Sequence, residues 1–510
     1  MVFTLLRWAF KLLCAALAVA IPLLAVWLAS SYAAYRNGPV WLAITCGLLV
    51  PLVPLAWDGL SRWRTSRGRA LRARVLRSEA HRPQSGLTFA DRYILRLLVV
   101  SLIFLGILIV RSPQTTFASL STRGDWFLDG REGPTVERVR AGLFTAAERL
   151  QWLYNALGDD NPYKDLIDPK NEAPTPPVPE DSKQAPLERT PESTQPSKAD
   201  PTGKDPPKPA EPELAPDGRP LWPLPATLHP LVLDMPAESE KTLEDAAKYI
   251  AANEPNRWLR IKALHDYVAD RVAYDTVAYF TQRNNMPPQD ANTVFRTRTG
   301  VCAGYAQLLA AMGLAAGEEI VVVVGDARTE SSDLTGEGHA WNAAQIDGAW
   351  YLIDPTWDSG HIEGQEFVKA YTTSNLFTPP TVFSVTHFPD ETRWQLSDPP
   401  ISRGDFFRQP VMRPEFFATG LELISPTRSQ VDVEGAFDVK LKRPEGRYLL
   451  ARYKTDDGVE GRCTVTYAAD TTVHCPLPGP ATYQVDLFGS PVEVGTYNLI
   501  GQFEVHRAGS

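Results

Sequence analysis

Cysteine is scarce in this chain: there are five in 510 residues, with five methionines and eight histidines. No Cys/His spacing matches a zinc or haem site, and no phosphate-binding loop or dinucleotide fingerprint occurs. The chain is therefore expected to work without a cofactor or metal, calcium alone being left open. Acidic residues are scarce in one place. The first 111 residues carry 14 Lys and Arg against three acids, a net of +11. The whole chain is formally -9, so the remainder is near -20. A basic head on an acidic body points to a membrane anchor and away from a nucleic-acid binder, since no base-reading motif accompanies the basic run.

Long apolar runs are confined to that head. Three segments, about 12–34, 40–57 and 93–110, are long and apolar enough to cross a bilayer. Arg96 lies near one end of the third, where snorkelling would carry it to the headgroups. Arg7 and Lys11 ahead of the first run would also suit a signal peptide, but its length and the adjoining second span favour a retained helix. For the third run the alternative is a buried soluble helix. Nine arginines lie between Arg62 and Arg92, with only Glu79 and Asp91 among them. So basic a loop, 58–92, is expected to stay in the cytoplasm. The N-terminus is then inside and everything after Val110 outside, which makes a multi-pass protein of the cytoplasmic membrane with its later domains in the envelope or exterior.

Residues 112–165 read as a juxtamembrane helical segment, with Val139, Leu143, Ala146, Leu150 and Leu153 on one side of a helix over Val136–Leu157. From Pro169 to Pro212, 13 of 44 residues are proline amid charged and polar ones, and no core can form from them. A disordered spacer over 166–229 is expected. As polyproline II at about 3.1 Å per residue it would reach on the order of 130 Å and carry the C-terminal half of the chain away from the membrane.

That half contains Cys302 in Thr-Gly-Val-Cys-Ala-Gly-Tyr-Ala-Gln-Leu-Leu, then His339 in Gly-His-Ala-Trp-Asn, then Asp354 in Trp-Tyr-Leu-Ile-Asp-Pro-Thr-Trp. A thiol nucleophile needs a base, and the base needs a carboxylate to fix its tautomer. Gly300 closes a loop, and Tyr305, Leu308, Leu309 and Met312 recur at helical spacing, so Cys302 is expected near a helix N-terminus that favours a thiolate and an oxyanion. Asp347-Gly348 predicts a two-residue type I′ hairpin. Pairing outward from it sets Ile346 against Ala349 and Trp341 against Asp354, which makes His339 a diagonal neighbour of Asp354. Trp341 would shield this pair from water. Ahead of the nucleophile, Trp258, Ile261, Leu264, Val268 and Val272 predict a helix. His265 on it is expected to be exposed or capped, and His361 follows the hairpin too loosely to be a ligand.

These motifs, with the later Thr-His-Phe-Pro-Asp-Glu-Thr-Arg-Trp-Gln-Leu around His387, resemble the transglutaminase-like family over about Leu243 to Ile401. Within it, the last motif is similar to the branch of kyphoscoliosis peptidase and related cytokinesis proteins. The resemblance implies an α+β, papain-like domain over 230–405. It implies Cys302 as nucleophile, His339 as general base and acid, and Asp354 as orienting carboxylate. The family also includes members that have lost these residues and serve as binding modules.

From about Phe416 the pattern becomes all-β: Phe437, Val439 and Leu441 alternate, as do Tyr483, Val485 and Leu487, then Tyr497, Leu499, Phe503 and Val505. An immunoglobulin-like β-sandwich over 406–510 is expected. Cys463 and Cys475 flank a hairpin in register to face each other, as a disulfide or as two buried thiols. The expected activity is acyl transfer through a thioester at an amide bond, by peptidase, amidase or transglutaminase chemistry, with an envelope protein or a peptidoglycan peptide as partner beside the lipid bilayer. The competing reading is a non-catalytic envelope scaffold.

Overall fold

The computed structural model describes residues 2–507 except 37–39, 76–87, 130, 132, 152–153, 155–160, 162, 167–212, 216–217, 282–285 and 331–335. The proline-rich run of 169–212 therefore lies outside the described residues. Three long helices open the chain, α1 (Val2–Tyr35), α2 (Val40–Val75) and α3 (Phe89–Arg111). Their stretches Ala16–Tyr35, Trp41–Ser61 and Phe89–Arg111 are long and apolar enough to cross a membrane. Helix α2 continues through the first part of the expected basic loop, because Arg and Ala are good helix formers. Arg96 does not stand free: it meets Asp58 of α2 at 2.6 Å and lies over the Trp57 ring. A carboxylate within reach gives the guanidinium a partner without snorkelling.

Helices α4 (Pro113–Arg123) and α5 (Pro134–Glu148) follow. The expected inner face of the second is displaced. Phe144 and Ala147 are buried while Val139 and Ala146 are exposed, and Leu153 is outside the described residues. Period alone could not tell which stripe meets a neighbour, and here the neighbour is specific. Arg408 and Arg428 stack their guanidinium planes over the Phe144 ring at 3.9 and 5.5 Å.

Residues 213–229, expected in the spacer, are largely placed against the following domain. Trp222 Nε1 donates to the Ser374 carbonyl, Leu224 is buried, and His229 N donates to Asp266. An apolar Leu-Trp-Pro-Leu-Pro run has a core to join, which the charged proline run before it has not.

The central domain packs helices α6 (Leu243–Asn253), α7 (Arg257–Arg271) and α8 (Cys302–Ala316) on a five-stranded antiparallel sheet. Its strands are β1 (Glu319–Ala327), β2 (Glu337–Ile346), β3 (Ala349–Ile353), β4 (Leu376–Thr378) and β5 (His387–Pro389), in the spatial order β4-β3-β2-β1-β5. Trp258, Ile261, Leu264 and Val268 of α7 share one core with Tyr305, Leu308, Leu309 and Met312 of α8. The hairpin register is the expected one: Ile346 pairs with Ala349 and Asn342 with Ile353, and Asp347 and Gly348 take positive φ of 52° and 84°.

The C-terminal region holds a six-stranded and a four-stranded sheet around one core. Phe437, Val439, Leu441 and Val473 from one sheet meet Tyr483, Val485, Leu487, Phe503 and Val505 from the other. The last strand, Asn498–Arg507, departs from the expected alternation: Ile500 is buried in place of Leu499. Leu487 pairs with Gly501 but Phe488 with Leu499, so a bulge at Ile500 inserts one residue and inverts the phase before it. Cys463 and Cys475 are disulfide-bonded.

This region and the central domain both rest on α4. Arg408 and Arg428 donate to the Ser121 and Thr122 carbonyls, and Arg123 reaches Asp432. Wholly buried Asp125 takes Arg140 and Arg428, each at 2.8 Å. Phe117, Tyr154, Phe388, Phe406 and Phe407 form an aromatic cluster at the same junction.

Candidate active site

Cys302 is the first residue of α8, with Val301 as N-cap in an extended conformation. The cap side chain is apolar and makes no hydrogen bond. Instead Gln289 Oε1 accepts from Val301 N at 2.9 Å. Gly304 allows this approach, since a Cβ there would stand 2.6 Å from Gln289 Oε1 and 2.8 Å from Val294. The thiol thus stands at a helix N-terminus without a side-chain cap and is almost wholly buried.

His339 lies on β2 and Asp354 one residue past β3. His339 Nε2 meets Asp354 Oδ2 at 2.7 Å, as the diagonal of the hairpin requires. The Cys302 sulfur lies close enough to the same imidazole to favour its charged form. Cys302, His339 and Asp354 are thus brought into one buried site.

Burial opposes charge on His339, but the Asp354 carboxylate and then the Cys302 sulfur outweigh it and raise the imidazole to about 10. Burial likewise opposes charge on Asp354. Its imidazole partners, His339 first and His387 second, hold the carboxyl well below the usual range. Asp354 Oδ1 accepts from the backbone N–H groups of Thr356 and Trp357, at 2.8 and 3.3 Å.

His387, named in the sequence only as part of a motif, is a member of this cluster. Its Nε2 lies 3.1 Å from Asp354 Oδ2 and its Nδ1 2.9 Å from Thr386 Oγ1. Burial pushes it down to about 4, so the ring is neutral; Nε2 then donates to the carboxylate and Nδ1 accepts from the threonine hydroxyl. Phe383 stacks on it, with Trp341 and Trp357 on other sides. No periodicity signals this role, because β5 arrives from a distant part of the chain. The signal available was a histidine in a motif without an assigned task.

Trp341 is fully buried, 5.9 Å from His339 between near-parallel rings. His265 is not exposed: it is fully buried between Asp266 and Asp358, at 3.1 and 3.2 Å. Its second contact is within ion-pair range but off the hydrogen-bond direction. Helix α7 is enclosed on most sides, so a polar residue on it needs a buried partner. His361 lies on the edge strand Gly360–Glu363 and is exposed.

The donor atoms of His339, Asp354 and His387 lie within 4.8 Å of one another, close enough to surround a metal ion. Both imidazoles use Nε2 on Asp354, so an ion would have to displace both hydrogen bonds.

A buried thiol at a helix N-terminus, an imidazole and a carboxylate on an antiparallel sheet define a transglutaminase-like core. Residues 244–355, which include Cys302, His339 and Asp354, match the model of the transglutaminase-like superfamily, and the chain carries a domain of that superfamily. Among curated proteins it is similar to the kyphoscoliosis peptidase of Mus musculus, with 32% identity over 34% of this chain and 27% of that protein. The Homo sapiens kyphoscoliosis peptidase matches at 31% identity over the same shares. The Lim and transglutaminase domain protein ltd-1 of Caenorhabditis elegans matches at 22% over 48% of this chain and 37% of that one. The chain spans about a quarter of the length of the first two relatives.

Proposed function

We propose that the chain is a membrane-anchored thiol enzyme that transfers or hydrolyses acyl groups at amide bonds. In this reading 230–405 is a papain-like catalytic domain and 406–510 an immunoglobulin-like module that positions it or recruits a partner. Cys302 attacks the amide carbonyl and the α8 N-terminus stabilises the oxyanion. His339, held by Asp354, accepts the thiol proton and delivers it to the leaving amine. Water or an amine then takes the acyl group. The basic loop supports a cytoplasmic N-terminus and an exterior catalytic domain, and in this reading a protein or a peptidoglycan peptide is the substrate.

The observation that carries the reading is the buried His339–Asp354 pair within electrostatic reach of Cys302 at a helix N-terminus. The test is alkylation of Cys302 in the full chain, with peptide and amine acceptors offered in parallel turnover assays. His339→Ala is expected to slow alkylation at least about tenfold, because the thiolate loses its counter-charge. Equal rates in the wild type and this variant would sink the enzyme reading and leave a scaffold.

A further inference from the structure

We propose that the cleft beside Cys302 is a binding site for a peptide turn carrying an aromatic side chain, and that the chain's own juxtamembrane segment, which forms a 3-10 turn over Lys164–Leu166, occupies it here. The proposal deepens the reading of Cys302 as an acyl-transfer nucleophile and rests on it. Tyr163, far from the domain in sequence, is buried in one apolar cluster with Val301, Cys302, Ala306, Val322 and Ala340. Tyr274, partly buried against the same cluster, lies within electrostatic reach of both Tyr163 and Cys302. These walls are small aliphatic groups with a tyrosine at the rim, a surface that suits a flat ring.

The segment is also held at both ends. Asn161 Nδ2 donates to the Gly325 carbonyl at 2.8 Å, and Gly325 is the residue that pairs with His339 across the sheet. The Leu166 carbonyl accepts from Gln307 Nε2 at 2.9 Å, and Gln307 stands on the helix that Cys302 opens. The segment thus runs from the strand next to the base to the helix of the nucleophile, with its aromatic ring packed beside the thiol. One anchor is the backbone carbonyl of Leu166 and the other the Asn161 side-chain amide on a backbone carbonyl of the domain. A peptide in this cleft is therefore held at one main-chain carbonyl and selected at an amide side chain and one ring.

The occupant comes from the membrane side of the proline-rich run, so access to Cys302 is coupled to how the catalytic domain sits on its anchor. With the segment in place the thiol is 1% exposed and no substrate carbonyl reaches it. Release of the segment opens the site.

The test is iodoacetamide alkylation of Cys302 in the full chain in detergent micelles, read from the mass of the Cys302 peptide. Tyr163→Ala is expected to accelerate it roughly ten- to a hundredfold, the scale set by burial of one aromatic side chain. Asn161→Ala, which leaves the apolar cluster intact, is expected to act in the same direction by a smaller factor. A blocked synthetic peptide with the sequence of residues 161–166 should restore protection to Tyr163→Ala in a saturable way, and the same peptide with Ala for Tyr should not. Unchanged rates in both variants would overturn the proposal. Acceleration that the peptide fails to reverse would also overturn it, leaving the segment a structural clamp. Alkylation needs no turnover, so a chain without amide-bond activity would still answer this test, while the His339 dependence addresses the other reading.

Discussion

His387 stands 5.4 Å from His339, ring centre to ring centre, and places its Nε2 on the same oxygen of Asp354. The two rings differ in charge although both are buried. Contact with Asp354 and Cys302 raises His339 to about 10, and burial lowers His387 to about 4. One carboxylate thus holds a charged and a neutral imidazole.

His387→Ala removes a donor from Asp354 and is expected to lower thermal stability at neutral pH. The sign comes from both groups. Asp354 is depressed in the fold, so its contribution is present above the ordinary carboxylate pKa and lost in acid. His387 is also depressed, so the wild type loses stability as pH falls from about 6.5 towards about 4. The deficit of the variant should therefore shrink on acidification, as read by melting temperature against pH. A deficit constant from pH 7 to 4 would contradict the shared-carboxylate role.

The raised pKa of His339 makes an opposite prediction. Its contribution to stability is complete below about 6.5 and is lost progressively as pH rises through about 10. Cys302 alkylation should keep its dependence on His339 up to that pH. In Asp354→Asn the imidazole loses its carboxylate, and the alkaline limit should fall by about one to three units. Rate profiles of the two proteins that coincide would remove Asp354 from the orienting role.

Gly325 is where β5, β2 and the juxtamembrane segment converge. A Cβ there would stand 2.2 Å from the Phe388 carbonyl oxygen and 2.7 Å from the Trp341 ring. Gly325→Ala is expected to destabilise the protein by about 1–3 kcal/mol through overpacking and to slow His339-dependent alkylation by displacing His387. Denaturant melts and alkylation rates check both. Full reactivity with native stability would show that β5 need not lie so close.

The hairpin is the part of the site most legible in the sequence. Asp347-Gly348 fixes the turn, period two fixes the faces, and His339 meets Asp354 without any long-range knowledge. Cys302 at the start of α8 is equally legible from the glycine ahead of it and the helical spacing after it. His387, Gln289 and Tyr163 are not, because each reaches the site through contacts between distant segments. His265 misleads because a histidine beside an aspartate on a helix resembles a solvated pair, and only enclosure of α7 makes it an internal one. The bulge at Ile500 defeats alternation for a local reason: one inserted residue leaves composition unchanged and inverts every face before it.

The disulfide joins two residues twelve apart in the C-terminal region. Chain-entropy reasoning for so short a loop gives about 2–3 kcal/mol. Cys463→Ser with Cys475→Ser should lower the unfolding free energy of that region by this amount, read by denaturant melts with the tryptophans of the central domain as an independent probe. Alkylation of Cys302 should be unchanged, since neither cysteine touches its cluster. A loss of Cys302 reactivity would instead mean that the β region and the central domain unfold as one unit.

Asp125 offers the sharpest test of how the later domains sit on the helices after the third apolar segment. It is wholly buried between Arg140 of α5 and Arg428 of the C-terminal region, and Arg428 also donates to the Thr122 carbonyl. Removing one member of a buried ion network leaves the others uncompensated, at a cost of about 3–5 kcal/mol. In Asp125→Ala Arg428 loses its carboxylate and Arg140 keeps only Glu137, and the junction should open before either neighbouring core does. Hydrogen exchange is expected to rise along α4 and in the strand Gln430–Val433, while α7 and α8 keep their protection. Exchange unchanged at α4 would mean that the aromatic cluster of Phe117, Tyr154, Phe406 and Phe407 holds the junction by itself.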